Sequence, residues 1–146
     1  MTQPWPFAES DLAHQEERRL LFATLDSIRS ANPRDSMTVL RQVPMGRRRA
    51  DLLVALSSGT LIAVELKLGD WQRALGQAAL NQLWVDRSYI AIPLTGASIR
   101  AATEAARHGI GVIVVDGGAG RILCDAPEST IIEETRRQEL VDLVNR

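Results

Sequence analysis

A chain of 146 residues, 45 % hydrophobic and 24 % charged, has the composition of one globular domain, residues 1–146, around one core. Its 17 basic and 18 acidic side chains leave a net charge near −1. That balance excludes a wholesale basic nucleic-acid binder, so any affinity for phosphate must come from local patches. Aromatics at 4 % leave little for stacking bases. No run reaches the length of a membrane span, and the opening MTQPWPFAESD lacks the basic start and apolar stretch of a secretion signal. Cys124 is the one cysteine, so a reducing, cytoplasmic setting is expected, with Cys124 a buried structural thiol.

Ser10 is a candidate cap for a first helix, in which Leu12, Ala13, Leu20, Leu21, Leu25 and Ile28 recur at helical spacing. Asn32-Pro33 stops it. Met37 to Val43 reads as a strand broken by Pro44-Met45-Gly46, and the basic run Arg47-Arg48-Arg49 follows. Two β-forming runs, about Ala50–Leu56 and Thr60–Lys67, flank Ser57-Ser58-Gly59 and predict a hairpin. Asp70 caps a helix running to about Val85, which would carry both Trp71 and Trp84 as core or dimer-contact residues. Tyr89–Ile92 is a short strand. Thr95–His108 is an alanine-rich helix stopped by Gly109. Ile110–Val115 is a buried strand, and Gly117, Gly118 and Gly120 turn into a brief one at Arg121–Cys124. Pro127 opens a last helix, about Glu128–Val144. The order α-β-β-β-α-β-α-β-β-α predicts an α/β fold with a mixed central sheet flanked by helices.

The chemistry concentrates in RADLLVALSSGTLIAVELK. If the hairpin turn sets Leu56 opposite Thr60, Asp51 falls opposite Glu65, and Lys67 shares Glu65's face. Two carboxylates and an ammonium would then meet on an apolar sheet, which is costly without compensation. A divalent metal shared by the acids would supply it; ion pairs at strand ends are the plainer alternative. In the first helix, at roughly 100° per residue, Glu17 lies near the middle of the apolar stripe and Glu16 at its rim.

A helical Glu, an Asp, a Glu-x-Lys at a strand end and a following helical Gln, in that order, resemble the PD-(D/E)XK nuclease superfamily. That group includes restriction endonucleases and Holliday-junction resolvases. The likeness covers the chain from the first helix to Val115 and departs at Ala50, where the pattern has Pro. It implies a restriction endonuclease-like core of order α-β-β-β-α-β. It implies a Mg²⁺- or Mn²⁺-dependent phosphodiesterase, more an endonuclease than an exonuclease, acting on DNA with RNA not excluded. Asp51, Glu65 and the Leu66 carbonyl would hold metal. Lys67 would activate water, Glu17 (or Glu16) would assist, and Gln77 (or Gln82) would contact the water or the scissile backbone. Arg47, Arg48, Arg49 and Arg73, with Arg87 as an extension, would hold phosphates. Two-stranded cleavage would call for a homodimer. The rival expectation is a catalytically silent nucleic-acid-binding or assembly protein on the same fold.

Overall fold

The computed structural model describes the backbone of residues 9–146 and side chains from residue 14 onward. The side chains of Ser10, Leu12 and Ala13, read above as a cap and the start of a stripe, lie outside the described residues. The elements are α1 (Glu9–Ala31), β1 (Met37–Met45), β2 (Arg48–Leu56), β3 (Leu61–Leu66), α2 (Trp71–Asn81), β4 (Arg87–Pro93), α3 (Ser98–Arg107), β5 (Gly111–Asp116), β6 (Ala119–Cys124) and α4 (Glu134–Val144). Their order is the one the hydrophobic periods predict.

All six strands form one sheet in sequence order, β1 to β6. β1–β2 and β2–β3 are antiparallel hairpins, β3–β4 and β4–β5 are parallel pairs joined through α2 and α3, and β5–β6 is antiparallel. The expected hairpin register is present: Leu52 pairs with Val64, Val54 with Ile62, and Leu56 N–H donates to Thr60 O at 2.9 Å.

Both faces of the sheet are apolar, and both are covered. On one face Leu52, Val54, Ile62, Val64 and Ile113 pack against Leu20, Leu21 and Ile28 of α1. On the other, Ile90, Ile92, Val112 and Val114 meet Ala74, Ala78, Ala101 and Ala105 of α2 and α3. Beside them Leu53, Ala55, Leu61 and Ala63 meet Leu140 of α4 and Trp84. The glycines after β5 divide their work. Gly117 turns the hairpin with φ +64°. Gly120 lies within β6, where a Cβ would stand 2.7 Å from the Ala23 carbonyl, so it is a point of close approach for α1 rather than part of a flexible turn.

Several boundaries, and the burial of Cys124, differ from expectation. β1 runs through Pro44, which costs no ladder bond because β1 is an edge strand. α2 stops at Asn81, so Trp84 sits in the following turn, buried beneath Arg136, while Trp71 is half-buried beside Arg100. Residues 127–133 are not helical. Ser129 and Glu133 donate their N–H groups to Asp86 O and Leu83 O instead, and α4 starts at Glu134. Cys124 is half-buried at the end of edge strand β6. Among the described residues no helix is long and apolar enough to cross a membrane.

Candidate functional site

The β2–β3 ladder ends at Leu52–Val64, and there β2 and its other neighbour β1 turn over while β3 runs on regularly. Leu53 and Ala50, three residues apart, pack into the same cluster, and across the β1–β2 ladder Leu40 and Val43 show the same three-residue step. A regular strand would return to a face after two. Gln42 absorbs the turn with φ +52°, a left-handed conformation that costs a non-glycine residue about 1 kcal/mol.

Asp51 therefore does not stand on a sheet face beside Glu65, as a regular strand would have placed it. It fills the fork between β2 and β3. Its Oδ2 accepts the Leu66 N–H at 2.9 Å, so a side chain continues the ladder where the backbone stops. Gln42 Nε2 approaches Oδ1 at 3.4 Å. On the far side of β3, Lys67 N–H donates to Ala91 O at 3.0 Å. Alternation then directs both backbone groups of Leu66 toward β2. Its carbonyl opens on the same fork as the Asp51 carboxylate.

Glu65 lies on the face covered by α2, 1 % exposed. Asn81 Nδ2 donates to its Oε2 at 2.8 Å, and Arg48 Nη2 donates to Asn81 Oδ1 at 2.6 Å. Burial pushes the Glu65 carboxyl up to about 7. The Asp51 charge pushes the same way, while the Asn81 bond and the Arg48 charge resist.

The fork opens on a cleft of about 580 Å³ lined by Glu17, Arg41, Gln42, Asp51, Leu66 and Lys67, among others. Glu17 reaches it because it lies one turn before Leu20, the first buried residue of α1 among the described side chains, so the inner stripe continues over the cleft instead of the core. Its side chain is 63 % exposed and 3.7 Å from His14. Glu16 borders a smaller neighbouring cleft with Arg19.

Other expected site residues scatter. Gln77 is half-buried on α2, one turn before Asn81 (roughly 6 Å along the axis), and does not line the cleft. Gln82 is committed elsewhere, donating to His108 O and Gly109 O at the end of α3. Arg47 and Arg49 are exposed and do not line the cleft, though Arg49 donates to the O of its wall residue Gln42 at 3.2 Å. Arg48 corrects the expected run of three phosphate-holding arginines: the strand turnover aims its guanidinium inward at Asn81. Arg73 is exposed on the first turn of α2, where Asp70 Oδ1 accepts its backbone N–H. Arg87 lies at the opposite end of the sheet, bonded to Ala126 O at 2.6 Å, and cannot extend a patch at the cleft.

Sequence reasoning missed Arg41, Gln42 and Asn81. The first two looked like ordinary decoration of an exposed edge strand. Asn81 carried a usable signal, since it continues the apolar stripe of Ala74 and Ala78. An amide on that stripe requires a buried partner.

Among the described residues no three His, Cys, Asp or Glu side chains are gathered to hold a metal by themselves. Two neighbouring carboxylates and a main-chain carbonyl are a hard-oxygen set, and Mg²⁺ commonly takes one or two carboxylates and completes its shell with water. The residues present fit such an ion.

No family model and no curated protein matches the chain. A solved structure of a protein of unknown function from Silicibacter pomeroyi is similar, with TM-score 0.65 and 19 % identity over 86 % of this chain and 81 % of that one. This likeness establishes the fold, a six-stranded mixed sheet flanked by helices. Two weaker similarities are to EndoMS in complex with double-stranded DNA (TM-score 0.48, 17 % identity, 80 % of this chain and 49 % of that one) and to a repair endonuclease from Pyrococcus abyssi (0.44, 17 %, 80 % and 50 %). At those scores neither bears on function.

Proposed function

We propose that this protein is a divalent-metal-dependent phosphodiesterase of the PD-(D/E)XK type that cuts DNA endonucleolytically. One observation carries the reading: the Asp51 carboxylate and the Leu66 carbonyl open on a cleft whose wall includes Lys67, with Glu65 buried next to the fork.

Asp51, Glu65 and the Leu66 carbonyl would hold Mg²⁺ or Mn²⁺, which when bound supplies a Lewis acid for the phosphate and acidifies a water. Lys67 has no acidic partner within 4 Å among the described residues, so its ammonium is free to donate to the attacking water or to a phosphate oxygen as charge builds. Arg41 on the cleft wall, with Arg49 bonded to the neighbouring Gln42 carbonyl, would hold phosphates on either side of the scissile bond, and exposed Arg47 would extend that basic surface. Glu17 enters from α1 and would orient a water. A homodimer would bring two such centres to two strands.

A cleavage panel tests this: linear, flapped, single-stranded and four-way DNA with Mg²⁺ or Mn²⁺, using the parent, Glu65→Ala and Lys67→Ala. The expected result is metal-dependent cutting by the parent alone. Equal cutting by all three would place the chemistry elsewhere. Salt-sensitive DNA binding by the parent with no cutting would make it a silent binding protein.

A further inference from the structure

Arg48, Asn81 and Glu65 form a chain of contacts that the proposed chemistry does not itself use. Asn81 is 0 % exposed and Glu65 1 %. Arg48 comes from β2, Asn81 from the last turn of α2 and Glu65 from β3, so the chain ties together three elements that meet at the fork. A guanidinium can only donate. The 2.6 Å contact from Arg48 Nη2 therefore fixes the Asn81 amide with its oxygen toward Arg48 and its nitrogen toward Glu65. Arg48 Nη1 is buried without a partner, so this arginine is held inward although one of its own donors goes unmet. With Oε2 of Glu65 committed to Asn81, and the Asp51 backbone N–H also directed at this carboxylate, Oε1 is the oxygen with capacity left for another ligand.

We propose that Arg48 and Asn81 are positioning residues, a relay that fixes Glu65 so that one defined oxygen binds the divalent cation. The proposal rests on the metal-dependent reading above. Arg48 bonds Asn81 and not Glu65, its charge reaching Glu65 only at longer range, so its hold on the carboxylate's position runs through Asn81, which sets a specific expectation for combined substitutions.

The test is calorimetric titration of the metal-free full chain with Mn²⁺. Parent, Asn81→Leu, Arg48→Met, the double variant, Arg48→Lys and Asp51→Ala are compared, with melting in EDTA measured alongside. Asn81→Leu and Arg48→Met should each weaken Mn²⁺ binding about 10- to 100-fold, the usual effect of removing a partner that orients a metal ligand. The double variant should be no weaker than Asn81→Leu alone, and Arg48→Lys, which keeps a donor, should recover most of the loss. If Asn81→Leu does not fold, Arg48→Met against Arg48→Lys still decides. Unchanged affinity in Arg48→Met, or losses that simply add in the double variant, would overturn the relay while parental binding abolished by Asp51→Ala preserves the metal site. A parent that binds no Mn²⁺ would overturn both.

Discussion

The two ends of β3 solve the same backbone problem with opposite electrostatics. At its start the Leu61 N–H donates to Asp86 Oδ2 at 2.7 Å, and at its end the Leu66 N–H donates to Asp51 Oδ2 at 2.9 Å. In both places a carboxylate continues a ladder that the neighbouring strand has left. Asp86 is then neutralised: Arg137 of α4 grips it with Nε at 3.0 Å and Nη2 at 2.9 Å, and the same Nη2 reaches Gly59 O. Asp51 has no basic partner within 4 Å among the described residues, only the Gln42 amide at 3.4 Å, and a second acid lies next to it. A finished ion pair marks a joint that holds α4 to the sheet. An unfinished one, beside an open cleft, marks a place for a mobile charge.

Matched substitutions at the two ends should separate these roles. Asp51→Asn keeps an acceptor for the Leu66 N–H, so its melting temperature should stay close to the parent's, while metal-dependent cleavage falls by a factor of about 10² to 10³, as loss of a transition-state contact does. A parallel fall in stability and activity would instead make Asp51 another joint.

Glu65→Gln sharpens the contrast through pH. In the metal-free protein the Glu65 carboxyl is raised from 4.5 to about 7, chiefly by burial. Between those values the folded state binds more protons than the unfolded, so stability falls as pH rises through this window and then levels off. The neutral glutamine does not titrate. The variant should melt with the parent near pH 4.5 and above it at pH 8, by an amount of the order of 3 kcal/mol. Thermal melts in EDTA across that range check this, and equal melting at pH 8 would contradict it.

At the closed end, Arg137→Met should destabilise by about 1–3 kcal/mol, measured by urea unfolding, and leave cleavage per folded molecule unchanged. The smallest effect belongs to Gln42→Gly. Relief of the left-handed strain and the greater freedom of the unfolded chain offset each other, so stability should move by less than about 1 kcal/mol. Mn²⁺ binding should still weaken, because the amide beside Asp51 is gone.

How much of this was legible follows from how local each cause is. The hairpin register could be read because Ser57-Ser58-Gly59 fixes the turn and the alternation fixes the faces. Asp70 as a cap and Gly109 as a stop, with φ +68°, are equally local. The fork at Asp51 was not legible. It depends on Gln42, nine residues away on another strand, adopting a conformation its residue type does not announce. Arg48 reads as one of three phosphate-holding arginines because only the strand turnover decides which of them points inward. The start of α4 was misplaced because residues 129–133 find backbone partners in the turn after α2, a contact no periodicity encodes. The acids were legible because a carboxylate in an apolar run is anomalous anywhere; the amide and guanidinium behind them became visible only with the tertiary structure.

Anomalous diffraction from a crystal soaked in Mn²⁺ tests the central claim most directly. A peak in the fork, at coordination distance from Asp51, Glu65 and the Leu66 carbonyl, with none at the Asp86–Arg137 pair, is the predicted result. A fork without a peak at saturating Mn²⁺, with the Lys67 ammonium seated on Asp51 in its place, would contradict the account.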